Sequence, residues 1–360
     1  MAPPAVLFGG PSPEHDVSIL TGLQAARALP GARALYWDKT GDFWEVDAGA
    51  EAGAFADGVP RRSDRLRLVA GEGFVGRRRP LELSAVVNCC HGGPGEDGTV
   101  QAALDLAGVA YTGPTVAGAA LGMDKLAFGH VMAAAGLPVL PRALLTAATP
   151  PPFDGPYIVK PRYGGSSIGI DADVADAATA LARLGANPHL RAGAVVEPYR
   201  PDATDLNVAV RSWPELQLSA IERPLRGPGA GPILGYRDKY LGGDGMAGAP
   251  RQLPAELAPG VADRLVEMAR TVAALVGLRG LARIDFLAVG DGEESLWVNE
   301  INTIPGSLAR YLWVDPAIAF ARLLADLLDE AARRPSFSWT SAGADGTALR
   351  SAGSIAGKLA

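Results

Sequence analysis

Leu281-Ala282-Arg283-Ile284-Asp285-Phe286 and, beyond a turn at Gly290-Asp291-Gly292, Val298-Asn299-Glu300-Ile301-Asn302 are the stretches that decide most about this chain. Each alternates apolar and polar residues, the period of a strand with one buried face. The spacing predicts a strand pair over 281–289 and 295–302 joined by the glycine turn. Alternation puts Arg283 and Asp285 on one face, and likewise Glu300 and Asn302, so as hairpin neighbours the four converge. Oxygen donors on rigid strands suit Mg²⁺ bound to a polyphosphate. The guanidinium adds a positive group for a phosphate or for charge developing in a transfer. An exposed hairpin with a surface salt bridge has the same pattern. The bend Asn302-Thr303-Ile304-Pro305-Gly306 favours a site, because it follows where a substrate could meet those side chains.

Upstream, Lys160-Pro161-Arg162-Tyr163-Gly164-Gly165-Ser166-Ser167-Ile168-Gly169 places a lysine at a strand end before a small, hydroxyl-bearing turn. Glycines let backbone N–H groups approach phosphate oxygens, and serines add donors. The stretch is neither a Walker loop nor a dinucleotide fingerprint, because the glycine spacing differs and no helix start follows. A plain hairpin turn is the other reading. Lys125, in Met123-Asp124-Lys125, is a second candidate phosphate cation or a surface lysine. Glu197 follows the apolar run Ala194-Val195-Val196, either as a group for ribose hydroxyls or an adenine amine or as a solvated strand end.

The rest of the chain reads as mixed α/β. Ala5-Val6-Leu7-Phe8 is a buried strand closed by Gly9-Gly10. Ser12-Pro13-Glu14 looks like a helix start, with Ser12 as cap, and Ile19, Leu23 and Ala26 follow at helical spacing up to Pro30. Strand, glycine turn, helix is an α/β signature. Ser84–Asn88 reads as a second strand, His91–Gly98 as a loop, and Val100, Ala103, Leu104 and Ala107 as a helix face stopped by Gly108. The stretch 115–137 reads as one helix, too charged at Asp124, Lys125 and His130 to span a membrane. Six prolines between 138 and 156 predict an irregular crossing. Further strands are expected at Tyr157–Pro161 and Ile168–Ile170, helices at 255–276 and 316–333, and a mobile tail after Pro335.

With 360 residues, two or three domains are expected. A formal net charge of −6 argues against nucleic acid or an anionic membrane as partner. The two cysteines, Cys89 and Cys90, are neighbours and rarely bridge in such an arrangement. That suits a reducing cytoplasm, as does an amino terminus without a signal-peptide pattern.

Together these motifs resemble the ATP-grasp superfamily and, more closely, the D-alanine–D-alanine ligases, from about residue 5 to 330. The resemblance rests on Leu7-Phe8-Gly9-Gly10 with Glu14-His15-Asp16-Val17-Ser18, and on His91-Gly92-Gly93-Pro94-Gly95-Glu96-Asp97-Gly98. It continues through Met123-Asp124-Lys125, Val159-Lys160-Pro161, Gly165-Ser166-Ser167-Ile168-Gly169, Asp238-Lys239-Tyr240, Arg283-Ile284-Asp285 and Asn299-Glu300-Ile301-Asn302-Thr303. It implies an α/β, three-domain enzyme with nucleotide held between two sheets. An amino-terminal parallel α/β domain over 1–113 would precede two ATP-grasp subdomains, 114–199 and 200–334, and a tail, 335–360.

The resemblance further implies that Lys125, Lys160, Ser166, Ser167 and Lys239 contact ATP, with Glu197 and Asp205 near the adenosine. Asp285, Glu300 and Asn302 would hold two Mg²⁺ (or Mn²⁺). Glu14 would anchor the donor ammonium, with Ser166 and Tyr240 ordering the site and His91 nearby. Arg283 would grip the transferred phosphate, and Gly235–Gly248 would be the lid. Gly306, Ser307 and Leu308 would hold the second substrate's carboxylate. The implied activity is ATP-dependent joining of two D-alanines for peptidoglycan, by a cytoplasmic homodimer. Its alternative is a ligase of secondary metabolism with another donor or acceptor. The lysines, Arg283 and the metal set speak against a non-catalytic ATP binder. The amino-terminal motif and the His91 loop speak against carboxylase-type or glutathione-type relatives. The chain departs from the family pattern after Gly306, where familiar members have a few more residues, and in the glycine-rich lid.

Overall fold

The computed structural model describes residues 2–225, 250–290, 295–336 and 340–358. Strand β1 (Ala5–Gly9) is apolar and wholly buried, as its sequence predicts. Helix α1 (His15–Ala28) begins one turn later than Ser12 suggests. The Ser12 hydroxyl instead accepts the Glu14 N–H at 3.1 Å, so it shapes the turn and leaves Glu14 at the N-cap position. Next come β2 (Arg33–Trp37), β3 (Phe43–Val46), β4 (Asp64–Val69), β5 (Gly73–Val75) and β6 (Val86–Asn88), in the sheet order β5-β4-β3-β2-β1-β6. The sheet is parallel only where β1 lies between β2 and β6. From β2 onward short connections make it antiparallel, because no crossover helix intervenes.

His91–Gly98 is not all loop: it contains the single turn α2 (Gly93–Glu96), followed by α3 (Thr99–Ala107), which Gly108 stops in the left-handed conformation. The helix expected over 115–137 is two, α4 (Val116–Met123) and α5 (Lys125–Ala134). Asp124 breaks it, because its carboxylate caps the second helix through the N–H groups of Leu126 and Ala127.

The second sheet has the order β7-β10-β8-β9. Its strands are β7 (Ala143–Leu144), β8 (Tyr157–Pro161), β9 (Asp171–Val174) and β10 (Ala194–Pro198), with α6 (Ala177–Ala186) between the last two. The strand expected at Ile168–Ile170 instead starts three residues later, at Asp171, just past the expected end. The turn consumes Ile168, whose N–H bonds back to Gly165.

The third sheet is built from β11 (Thr204–Arg211), β12 (Gln217–Leu218) and, beyond a small pair β13 (Arg223–Pro224) and β14 (Arg251–Gln252), helix α7 (Pro259–Leu275) and strands β15 (Leu281–Ala288) and β16 (Leu296–Asn302). Its order is β12-β11-β15-β16. Val261, Leu265, Met268 and Val272 form the stripe of α7 that packs on Val208, Val210, Ile284 and Phe286. Each such buried side chain contributes about 1.5–3 kcal/mol, and the result is a stiff platform whose other face is polar. Helix α8 (Phe320–Arg333) returns to the start of the chain: Leu323, Leu324 and Leu327 share one core with Val6, Phe8, Ile19 and Leu23. The tail adds the one-turn helices α9 (Thr347–Arg350) and α10 (Ile355–Lys358). Among the described residues no helix is long and apolar enough to cross a membrane, and both cysteines are buried free thiols.

Candidate active site

The hairpin forms in the register its pattern predicts. Arg283 lies opposite Asn302, and Asp285 opposite Glu300. Beyond that point Phe286 pairs with Val298, so Asn299 is an extra residue in β16. A bulge re-aims side chains, and here it lets consecutive Asn299 and Glu300 both serve the site. Arg283 donates two hydrogen bonds to Asp285, at 2.6 and 2.7 Å, and Asn302 Nδ2 donates to the same carboxylate at 3.0 Å. Among the described residues no cluster of three His, Cys, Asp or Glu side chains could hold a metal. The donor set here is two carboxylates and an amide, which suits magnesium, an ion that takes its remaining ligands from phosphate and water. Rotation of the Asn302 amide presents its oxygen in place of its nitrogen.

Two lysines face this hairpin from different elements. Lys125 opens α5 with its Nζ 3.4 Å from Glu300 and bonded to the Gly164 carbonyl. Asp124, besides capping α5, takes two hydrogen bonds from Arg162 at 2.9 and 2.6 Å, pinning Lys125 against the glycine–serine turn. Lys160, on β8, reaches Glu197 of β10 at 2.8 Å and the Asn299 amide oxygen at 3.3 Å. Glu197 is 1 % exposed. Burial alone would push its carboxyl up, but Arg142 and Lys160 more than offset that and hold it below the ordinary range.

Arg142 is the functional residue that the sequence reading missed. It donates to the carbonyls of Lys125 at 2.7 Å and Asn299 at 3.1 Å, and its Nε lies 3.3 Å from Glu197 Oε1. That ion pair is not aligned as a hydrogen bond, so Glu197 Oε1 keeps an acceptor site open among the described residues. The available signal was that Arg142 is the only charged side chain between His130 and Asp154.

The amino-terminal motif closes the other side. Ser166, with φ of 54°, donates its hydroxyl hydrogen bond to Glu14. The neighbouring residues of Glu14 brace it: His15 bonds Gly10 O and the Tyr36 hydroxyl, and Ser18 bonds Gly9 N and Cys89 O. Gly92 must be glycine, because its φ is +60° and an added Cβ would stand 2.2 Å from Glu14 Oε2.

His91 is buried, and that burial, with Arg283 nearby, lowers its pKa to about 4. The ring is therefore neutral. Its Nδ1 bonds Ile304 O, and its Nε2 bonds the Thr21 hydroxyl, each at 2.7 Å, while Thr21 accepts the Ser307 N–H at 3.1 Å. Glu96, quoted in the motif but given no role, accepts the N–H groups of Ile304 and Gly92 at 2.8 and 3.1 Å. Burial and then Glu14 raise its carboxyl to about 7. These contacts tie the bend after β16 to the amino-terminal sheet. One cleft is lined by Glu14, His91, Glu96, Lys125, Ser166, Arg283, Glu300, Asn302 and Gly306. Lys160 and Glu197 adjoin it through Asn299.

Of the remaining expected residues, Ser167 stands in the same turn as Ser166 with φ of 58°. Asp205 lies on β11 opposite Leu287, two positions along from Asn207 and on the same face. Lys239, Tyr240 and the lid over Gly235–Gly248 fall outside the described residues. Ser307, Leu308 and Ala309 form a left-handed turn with φ of 51°, 47° and 46°. The Ser307 N–H is taken by Thr21 and the Leu308 N–H by Pro305 O at 2.8 Å.

Residues 4–114 match the family described as the D-ala D-ala ligase N-terminus, and residues 132–329 the D-ala D-ala ligase C-terminus. The chain belongs to the D-alanine–D-alanine ligase family. A D-alanine–D-alanine ligase of Methylobacterium sp. (strain 4-46) is 34% identical over 357 residues, covering 92% of this chain and 91% of that protein. In fold the chain is similar to the D-alanine-D-alanine ligase from Coxiella burnetii, with a TM-score of 0.74 at 22% identity, covering 92% of this chain and 94% of that one. It is also similar to the VanG D-Ala:D-Ser ligase from Enterococcus faecalis, with a TM-score of 0.73 at 21% identity over 92% and 99% of the chains. As a member of the D-alanine–D-alanine ligase family, the protein is a ligase of an ATP-dependent kind.

Proposed function

We propose that the protein joins two D-alanines at the expense of ATP, through an acyl phosphate, to supply a peptidoglycan precursor. The observation that carries this reading is the convergence, on one cleft, of the Glu14–Ser166 pair with Arg283 and the Lys125–Glu300 pair. An ammonium anchor, a phosphate cation and a metal carboxylate thus adjoin. Glu14 receives the donor's ammonium, with neutral His91 beside it. Lys125, Lys160 and the turn at Ser166 and Ser167 hold the phosphates, and Glu197 and Asp205 meet the adenosine. Lys239 serves ATP binding and Tyr240 catalysis. Asp285, Glu300 and Asn302 would hold two Mg²⁺, which would supply charge neutralisation for phosphoryl transfer.

The donor carboxylate oxygen attacks the γ-phosphorus, the bond to the β-phosphate oxygen breaks, and ADP leaves. The acceptor's amine, having lost a proton, then attacks the acyl carbon. Inorganic phosphate departs with the electrons of the carbon–oxygen bond. Arg283 offers its guanidinium to the phosphoryl oxygens and to the tetrahedral oxyanion. No enzyme nucleophile is required, and positioning supplies most of the acceleration. Gly306 and Ser307 wall the acceptor side, beside Leu308.

The chain divides at 113, 199 and 334 into an amino-terminal domain, two nucleotide-gripping subdomains and a tail. It works in the cytoplasm as a homodimer, a state that light scattering tests. The left-handed turn at Ser307–Ala309 favours one second reading, in which the acceptor is another amino acid.

The test is phosphate release from ATP and Mg²⁺ with amino acids offered singly and in pairs, with products identified by mass. D-alanyl-D-alanine from D-alanine alone supports the first reading. A dipeptide only from another pair supports the second, and no turnover in protein that binds ATP refutes both.

A further inference from the structure

The chain is acidic, with a formal net charge of −6, yet Arg61, Arg62, Arg65, Arg67 and the run Arg77-Arg78-Arg79 fall close together between positions 61 and 79. All of these side chains are exposed. The first sheet gathers them further. Strand β5 runs antiparallel to β4, with Arg67 opposite Val75, so the turn before β4 and the turn after β5 lie at the same end of the sheet. The second turn is held by the Gly76 N–H on Arg79 O at 3.1 Å and by a bridge between Val75 and Pro80. Alternation puts Arg65 and Arg67 on one face of β4, about 7 Å apart. Carrying the ladder two places past Val75 sets Arg77 across from Arg65, about 5 Å away. Asp42, Arg65, Arg67, Val75, Gly76 and Arg77 line a groove there of about 610 Å³. None of them lines the cleft described above.

We infer that this groove is a second anion site, which binds a small molecule carrying a chain of phosphoryl groups, whether a nucleoside polyphosphate or inorganic polyphosphate. Like charges crowded on neighbouring strands destabilise a sheet. Among the described residues, the acids within ion-pair distance of these arginines are Asp42, 2.6 Å from Arg65, and Asp64, 3.8 Å from Arg77. Both pairs are exposed to solvent and so contribute little. Arg67, in the middle of the groove, has no such partner. A polyanion relieves the crowding that the two aspartates leave. Three guanidiniums spread over about 5–7 Å suit several linked phosphoryl groups, each of which can take paired N–H donors. The size of the groove agrees, because small-molecule sites span about 300–1,000 Å³. A duplex or an anionic bilayer would call for a broad basic face, whereas these arginines border a concave site on an acidic protein. The inference does not depend on the ligase chemistry, and it accounts for arginines that the chemistry does not use.

The experiment labels arginines of the full chain with phenylglyoxal, with and without tripolyphosphate, ATP or ADP, and reads each arginine by peptide mass. Tripolyphosphate should slow labelling of Arg65, Arg67 and Arg77 at least about tenfold and leave the exposed Arg183 and Arg191 within about twofold. Matching protection by ATP and ADP assigns the groove to nucleoside polyphosphates as well, and protection by tripolyphosphate alone assigns it to inorganic polyphosphate; either supports the inference. Two double variants then locate the effect. In Arg67→Gln/Arg77→Gln, the tripolyphosphate concentration that half-protects Arg65 should rise at least about tenfold. In Arg78→Gln/Arg79→Gln, which removes the same charge outside the groove, it should rise no more than about threefold. The inference is overturned if no arginine is protected, or if Arg183 is protected equally, which marks ionic screening. Equal losses in the two variants overturn it as well, because they mark a diffuse basic patch, and so does protection of Arg65 that survives Arg67→Gln/Arg77→Gln, because it then comes from the nucleotide cleft. Protection by duplex DNA or by phosphatidylglycerol vesicles but not by tripolyphosphate gives the surface to a macromolecular partner and refutes the small-molecule site.

Discussion

Replacing Arg142 by methionine tests how the nucleotide side is held together. The substitution keeps bulk but removes the cation that faces Glu197 from 3.3 Å and the donors to Lys125 O and Asn299 O. Glu197 is 1 % exposed and would keep only Lys160. Removing one partner of a buried pair costs about 3–5 kcal/mol, so the urea midpoint should fall by that amount divided by an unchanged slope. The sign with pH is also fixed. In the unaltered protein the Glu197 pKa is depressed, so its contribution is present above the unfolded-state value and is lost as pH falls through the folded value. Without Arg142, burial wins and the pKa rises, so the damage should grow as pH is raised from about 4.5 to 8. Adding Glu197→Gln should restore part of the stability. The KM for ATP should rise at least about tenfold, because Lys160 loses the geometry that Glu197 imposes. A loss below about 1 kcal/mol that does not vary with pH, with unchanged ATP affinity, would refute the reasoning.

Thr21→Val should cost about 1–3 kcal/mol by leaving the Ser307 N–H and His91 Nε2 unpaired. It should also raise the KM for D-alanine, checked by thermal melts and initial rates. Glu96 has a folded pKa of about 7 against an ordinary 4.5, so its carboxyl is best tolerated protonated. The unaltered protein should lose up to about 3 kcal/mol as pH rises through that window. Glu96→Gln should flatten this loss in unfolding curves at pH 5 and 8. Chelation of divalent ions should abolish turnover, with Mg²⁺ or Mn²⁺ restoring it. Asp285→Asn should raise the Mg²⁺ concentration needed for half activity at least about tenfold, read by metal titration of the rate.

The β15–β16 hairpin was legible because strand alternation is a local rule and its two halves are close in the chain. The bulge at Asn299 was not, since an extra residue in a ladder leaves no mark in the apolar pattern. Asp124 misled for a physical reason: a carboxylate inside an apolar run reads as a surface residue of one helix, whereas here it caps a second. Arg142 lies in a proline-rich crossing without periodicity, and its partners are 17, 55 and 157 positions away in the chain. Local sequence carries no information at that range. The left-handed turn at Ser307–Ala309 was equally hidden, because no glycine announces it. Tertiary bonds to Thr21 hold it instead.

The sharing of one core by the first strand and the last long helix has a consequence for how the protein comes into being. Val6, Phe8, Ile19 and Leu23 are covered by Leu323, Leu324 and Leu327, some 300 residues later in the chain. At synthesis rates of about 5–20 residues per second, the first sheet leaves the ribosome about 15–60 s before the helix that seals it. The part of the molecule made first is thus the last to be finished. Through that interval its bare apolar face depends on chaperones, or on the slow pairing of distant segments, to escape aggregation.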